Sequence, residues 1–190
     1  VGTVNFATLT EAINAAQDGQ TVTLLTDAVV DDTVIVKDKG AITLDLNGKT
    51  ISNTKDIWND DINNWSLVSV RGESDLTITG NGAVDALEND SYAIDLQDAA
   101  SKCTIENGAF TGNISAAYVF DGSLTINGGT LDLTCNGNGN NAIDTDGTYT
   151  NNGGDVTTND GSENGSGEMG GFGGQGNAAV PYKHLTLPKN

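Results

Sequence analysis

The sequence predicts an all-β chain: a right-handed, single-stranded parallel β-helix with a short N-terminal capping helix. Three observations carry this. An Asn-Gly turn closes an alternating strand five times, in residues 42–48, 76–82, 103–108, 124–128 and 148–153, with the glycines 34, 26, 20 and 25 residues apart. A short strand with one inward apolar residue follows each turn, giving Ile51, Val84, Phe110, Leu131 and Val156. Another strand precedes each turn, anchored by Val36, Val70, Leu96 and Phe120, with Thr145 in the last copy. Three strands per unit of about 20 to 27 residues, cornered by Gly, Asn and Asp, describe one coil of a solenoid. A coil cannot bury its inner side chains alone, so about five coils stack at roughly 4.8 Å, each strand pairing with its equivalents above and below.

The elements follow in order. Thr8-Leu-Thr-Glu11 reads as a capping box, Leu9, Ala12, Ile13 and Ala16 form one helical face, and Gly19 ends the helix, which places residues 8–18 across the open first rung. Thr21-Val-Thr-Leu-Leu25 starts the first strand. In the strand before each Asn-Gly turn, period-2 alternation sends Ile42, Leu44, Leu76, Ile78, Cys103, Ile105, Leu124 and Ile126 inward. The same alternation lines Thr43, Thr77, Thr104 and Thr125 into an outer column, beside a charged and uneven column of Asp45, Thr79, Glu106 and Asn127. Asn47, Asn81, Asn107, Asn127 and Asn152 are expected to stack at one corner, where an Asn amide can bond to its copy a rung away. Cys103 is inward and Cys135 shares its parity with Leu131 and Leu133, so two buried free thiols are expected rather than a bridge. Residues 1–158 make the β-helix with its cap, and 159–180 a flexible Gly-rich segment. Residues 181–190, with two Pro, two Lys and the sole His, read as an adapter-derived tail foreign to the fold.

Charge sets the first limits on function. With 26 Asp plus Glu against 8 Lys plus Arg the formal charge is −18, which disfavours nucleic acid and anionic membrane surfaces, both of which require clustered cations. No apolar run approaches the roughly 18 to 20 residues of a membrane-spanning helix, so no membrane insertion is expected. The chain opens at Val1 with no apolar leader, so any export signal lies outside this sequence.

Residues 1–158 as coiled above resemble the parallel β-helix proteins of the pectin-lyase-like superfold. Ala7-Thr-Leu-Thr-Glu-Ala-Ile-Asn-Ala-Ala-Gln-Asp-Gly-Gln-Thr-Val-Thr-Leu24 and Ile42-Thr-Leu-Asp-Leu-Asn-Gly-Lys-Thr-Ile51 are similar to the opening of large secreted bacterial surface proteins of adhesin type. Ala142-Ile-Asp-Thr-Asp-Gly-Thr-Tyr-Thr-Asn-Asn-Gly-Gly154, followed by a Gly-rich segment with Met, resembles the polysaccharide-binding β-helix family related to pectate lyases. The resemblance implies an extracellular, secreted or cell-surface bacterial module, one domain of a larger protein, that is carbohydrate-binding and calcium-loaded.

Pectate lyases of this fold use a basic side chain beside calcium-holding acids, but Arg71, the only Arg, has Glu73 two residues on and reads as a solvated corner ion pair. Asp95 and Asp144 occupy equivalent outward positions two coils and roughly 10 Å apart, with Val119 between them, near the upper limit for an inverting pair of acids. No His or activated nucleophile accompanies them, so no enzymatic activity is expected. Asp98, Asp121 and Asp146 are the candidate calcium ligands, carboxylates one rung apart. The longest insertion, Lys55-Asp-Ile-Trp58-Asn-Asp-Asp-Ile-Asn-Asn-Trp65, holds both tryptophans among amides and acids. Rings that stack on sugar faces, flanked by hydroxyl-binding groups, make Trp58, Trp65, Asn59, Asp61 and Asn63 the candidate site for a polysaccharide or host cell-surface glycan. In the competing reading Trp58, Ile57 and Ile62 simply cover the flank of the helix. A non-catalytic carbohydrate-binding or adhesive module is therefore expected. The alternatives are a polysaccharide lyase or hydrolase of the same fold and an ice-binding β-helix that uses the Thr column.

Overall fold

The computed structural model describes residues 4–86, 91–113, 115–133, 143–158 and 164–166. Cys135, the 181–190 segment and most of the Gly-rich segment lie outside the described residues.

Helix α1 (Leu9–Ala15) precedes six coils of three strands. The first coil is β1 (Thr21–Thr23), β2 (Ala28–Val30) and β3 (Val34–Lys37); the second is β4 (Gly40–Asp45), β5 (Thr50–Asn53) and β6 (Ser66–Arg71). The third is β7 (Ser74–Thr79), β8 (Ala83–Asp85) and β9 (Tyr92–Leu96), and the fourth β10 (Lys102–Ile105), β11 (Ala109–Thr111) and β12 (Ala117–Val119). The fifth is β13 (Ser123–Ile126), β14 (Thr130–Leu133) and β15 (Ile143–Thr145), and the sixth β16 (Thr148–Asn151), β17 (Asp155–Thr158) and β18 (Asn164–Ser166). Equivalent strands stack in parallel. Sheet A runs β1-β4-β7-β10-β13-β16 and sheet C runs β3-β6-β9-β12-β15-β18, while sheet B is β2-β5-β8-β11 with β14-β17 as a separate pair beside β11. The chain is a parallel β-helix. It has one rung more than its Asn-Gly turns announce, because the first coil turns through residues 24–27, which include neither Asn nor Gly.

Period-2 alternation in sheet A places its apolar residues inside, as expected. Ile42, Leu76, Cys103 and Leu124 form one buried column and Leu44, Ile78, Ile105 and Ile126 the other. Between them the outer Thr column is longer than the sequence suggested, with Thr21, Thr43, Thr77, Thr104, Thr125 and Thr150 in unbroken register. Cys103 is a free thiol, 1% exposed, and burial together with the Asp75 charge pushes its pKa well up.

Two sequence expectations fail through slips of register. The Asn corner column does not run the length of the helix. Counted from the level column Leu44, Ile78, Ile105 and Ile126, two residues intervene before Asn47 and before Asn81, one before Asn107 and none before Asn127. Asn127 therefore lies level with Glu106 and donates to its Oε1 at 2.9 Å, and Asn152 donates to Asn127 Oδ1 at 2.9 Å. Asn107 stays outside that chain of bonds, and its Oδ1 is buried without a partner. Phe120 is likewise no core anchor. Val119 is the residue in line with Leu96 and Thr145, so the alternation turns Phe120 outward, where it is 50% exposed.

The capping box forms as expected, but the helix stops at Ala15, with Ala16 already extended, instead of running on to Gly19. Thr8 Oγ1 accepts from the Glu11 N–H at 3.1 Å, Glu11 Oε2 accepts from the Thr8 N–H at 3.2 Å, and Leu9, Ile13 and Ala16 are buried in the core beside β3. At the other end of the helix Lys39 Nζ donates to the Asn14 and Ala16 carbonyls at 2.6 and 3.3 Å, placing a cation on the negative end of the helix. Thr8→Ala is expected to lower stability by about 1 kcal/mol, a fall in Tm of about 2–4 °C readable by calorimetry. An unchanged Tm would mean the cap contributes nothing to holding the first rung. Among the described residues no helix is long and apolar enough to cross a membrane.

Candidate functional site

The corner between sheets B and C is short in most coils, but between β5 and β6 it lengthens to residues 54–65. This insertion is tied together by its own local hydrogen bonds. Asp56 Oδ1 accepts from the Trp58 N–H at 2.9 Å, Asn59 and Asn64 bridge antiparallel at 2.7 and 3.0 Å, and a single 3-10 turn, Asp60–Ile62, ends at Asn63 in the left-handed region with φ 55°. Asx residues supply those turns because their short side chains bond nearby N–H groups and tolerate positive φ. Ile57, 5% exposed, joins the core, and Asn64 Nδ2 donates to Asp32 Oδ1 at 2.8 Å.

The insertion lies against the outward face of sheet C. There the register stacks Ile35, Ser69, Asp95, Tyr118, Asp144 and Gly165 in one column. Tyr118, not Val119, thus separates Asp95 from Asp144.

Arg71 makes no ion pair with Glu73; among the described residues the sole ion pair is the exposed Lys55–Asp31 at 3.0 Å. The guanidinium turns instead to the insertion. Its Nη2 donates to the Asn63 carbonyl at 2.7 Å and to Asn64 Oδ1 at 2.9 Å, and its Nε donates to Ser69 Oγ at 2.8 Å. Ser69 Oγ in turn donates to Asp95. Gln97 Nε2 is shared, donating to Asp95 Oδ2 at 3.1 Å and to the Asn63 carbonyl at 2.6 Å. Asp95 is 0% exposed, and burial raises its pKa to about 6 against the opposing hydrogen bonds of Ser69 and Gln97 and the charge of Arg71.

Five rings cover the same face. Tyr92 stacks on Tyr118 with centroids 5.1 Å apart, Trp65 lies 5.9 Å from Tyr118, and Trp58 lies 6.1 Å from Trp65 and 6.0 Å from Tyr92. Phe120 meets Trp65 edge-on at 6.3 Å and Tyr118 at 6.0 Å. Tyr92 and Tyr118 are buried and Trp65 is 8% exposed, which leaves half-buried Trp58 and exposed Phe120 as the rings in reach of solvent. Carboxylates rim the group. The Tyr118 hydroxyl bonds to Asp146, and its pKa is pushed up by burial and by the charges of Asp146 and Asp144. Asp144 titrates near 6 because it is largely buried and faces the Asp146 charge.

The residues expected to bind ligand thus divide. Trp58 and Trp65 do come together, though Trp65 is held in the structure, its Nε1 donating to Asp60 Oδ1 at 3.1 Å. Asn59, Asp61 and Asn63 are exposed, and two of them shape the loop: Asn59 Oδ1 accepts from the Asp61 N–H at 3.0 Å, and Asn63 offers its carbonyl to Arg71 and Gln97. The three candidate calcium ligands are dispersed in role. Asp98 Oδ2 accepts from the Gly72 N–H at 2.6 Å, Asp121 Oδ1 accepts from the Gly122 N–H at 2.8 Å, and Asp146 serves Tyr118. Among the described residues no three His, Cys, Asp or Glu side chains converge as metal ligands. Tyr92, Tyr118, Ser69 and Gln97 escaped the sequence reading, which put Phe120 in the core. Aligning Val119 with Leu96 and Thr145 would have brought out Tyr118, Phe120 and Gln97, since it moves Tyr118 into the Asp column and Phe120 outside, level with Gln97.

Compared with known protein families, curated proteins and solved structures, the chain matches none.

Proposed function

We propose that this chain is a non-catalytic, extracellular bacterial module of pectin-lyase-like type that binds a polysaccharide or cell-surface glycan, as the carbohydrate-binding or adhesive part of a larger surface protein. The supporting observation is the aromatic group on the outward face of sheet C, edged by Asp144, Asp146 and the amides of the insertion. Short polar side chains alone give little net affinity, because water matches their hydrogen bonds. Rings add apolar area that desolvates on a sugar face, at small entropic cost when they are already packed. Trp65, Tyr92 and Tyr118 act here as the fixed bed, and Trp58 and Phe120 as the contact rings. Against catalysis stands Asp95. Its carboxyl has no solvent exposure and is engaged by Ser69 and Gln97, so it reaches no glycosidic oxygen.

A glycan array with and without calcium, followed by titration of one bound glycan, tests this. Trp58→Ala and Phe120→Ala are each expected to weaken binding about tenfold, close to 1.4 kcal/mol, with Tm nearly unchanged. Undiminished binding by both variants would remove the site from this face. Release of reducing or unsaturated ends that vanishes in Asp144→Asn would replace binding by cleavage as the function. The unbroken Thr column favours the ice-binding alternative on its own, but Asp75 and Lys102 flank it on one side and Asp45 on the other, and a flat uniform lattice is absent. Thermal hysteresis in the purified protein would revive it.

A further inference from the structure

We infer that Asp95 is a proton-operated clasp: proton uptake by its buried carboxyl fastens the 54–65 insertion onto sheet C, and proton loss loosens it. The geometry is a chain of contacts with Asp95 at its centre. On one side the carboxylate receives Ser69 Oγ, which receives Arg71 Nε, and Arg71 holds the Asn63 carbonyl and the Asn64 side chain. On the other it receives Gln97 Nε2, which also holds the Asn63 carbonyl. Both routes end on Asn63, the left-handed residue that closes the 3-10 turn of the insertion.

The charged groups facing Asp95 are few. Arg71 approaches from β6 and Tyr118 from β12, while Asp144 and Asp146 from the next coil act on Tyr118. Within and beneath the insertion, Asp60 is bonded to Trp65 Nε1 and Asp32 to Asn64 Nδ2. One part-exposed guanidinium and three neutral donors, Ser69, Gln97 and Ser66, do not offset the removal of a carboxylate from water, so burial dominates. When the insertion lifts, Asp95 regains solvent and its ordinary acidity, near 3.8. The sign follows. The closed state, with its pKa near 6, binds the proton more tightly than the open one, so acid favours closure and the gain is lost as pH rises through about 6. From those two values the opening constant falls about tenfold between pH 7.5 and pH 5.0.

Hydrogen exchange of the 54–65 peptide, corrected for intrinsic exchange rates, reads that constant on the ligand-free chain. Expected is about tenfold less opening at pH 5.0 than at pH 7.5, with no comparable change in β7 of sheet A. Asp95→Asn, neutral at every pH, should abolish the dependence, whereas Asp144→Asn, which removes the other acid titrating near 6, should keep it. Should Asp95→Asn fail to fold, Ser69→Ala decides: losing a donor to the charged form, it must move the midpoint to higher pH. A flat or reversed pH profile in the wild type overturns the inference, as does a dependence that survives Asp95→Asn, vanishes in Asp144→Asn or stays put in Ser69→Ala.

Discussion

Phe110→Ala is expected to lower the unfolding free energy by about 3–5 kcal/mol, the largest effect of any single truncation among the described residues. Phe110 is a fully buried side chain of β11, level with Val84 one rung below. The size of the loss depends on whether neighbours can fill the space. In a β-helix they cannot, because each rung is held at about 4.8 Å from the next by its ladder bonds, and a coil cannot sink inward without breaking three ladders at once. At about 2–4 °C per kcal/mol the Tm should drop by roughly 6–20 °C. Stacked coils also unfold in pieces, so denaturation should broaden as the fourth to sixth coils separate from the first three. Phe110→Leu, which keeps most of the volume, should lose well under half as much. A Phe110→Ala Tm within about 2 °C of wild type would mean the interior is not close-packed.

Arg71→Ala is expected to cost about 3 kcal/mol, but locally. It leaves the Asn63 carbonyl, Asn64 Oδ1 and Ser69 Oγ short of a donor and takes from Asp95 its nearest cation. The ladders of sheet C do not depend on that side chain, so far-ultraviolet dichroism should stay unchanged while the insertion becomes open to protease and the fluorescence of Trp58 and Trp65 shifts to the red. Arg71→Lys should recover little, since an ammonium cannot span the carbonyl, the amide and the hydroxyl together. If Arg71→Ala leaves the insertion protected, its anchorage lies in Ile57 and Asn64 instead.

The fold was legible in the chain because its determinants are local and repeated. A capping box needs only Thr8 and Glu11 at a spacing of three, and inward columns need only alternation, so Ile42, Leu76, Cys103 and Leu124 declare themselves from sequence. Repetition then fixes stacking, since a face that recurs at every coil can be buried only by its own copies. The site was legible in its ingredients alone. Both tryptophans and their Asn and Asp neighbours stand out as an insertion, and Asp95 and Asp144 as equivalent positions. What tertiary structure decided was register and burial. A slip of one residue at β12 exchanged Val119 for Tyr118 between the two acids and turned Phe120 from core to surface, because side chains on a strand alternate faces and corner lengths alone do not say where a strand begins. Arg71 shows the same limit. Glu73 is its nearest acid in sequence, yet 26 residues separate Ser69 from the Asp95 it bonds, and only the stacking of β6 on β9 brings the two together. In a solenoid one rung is a distance of about 4.8 Å in space and twenty or more residues in sequence, so charge partners follow the rung and not the chain.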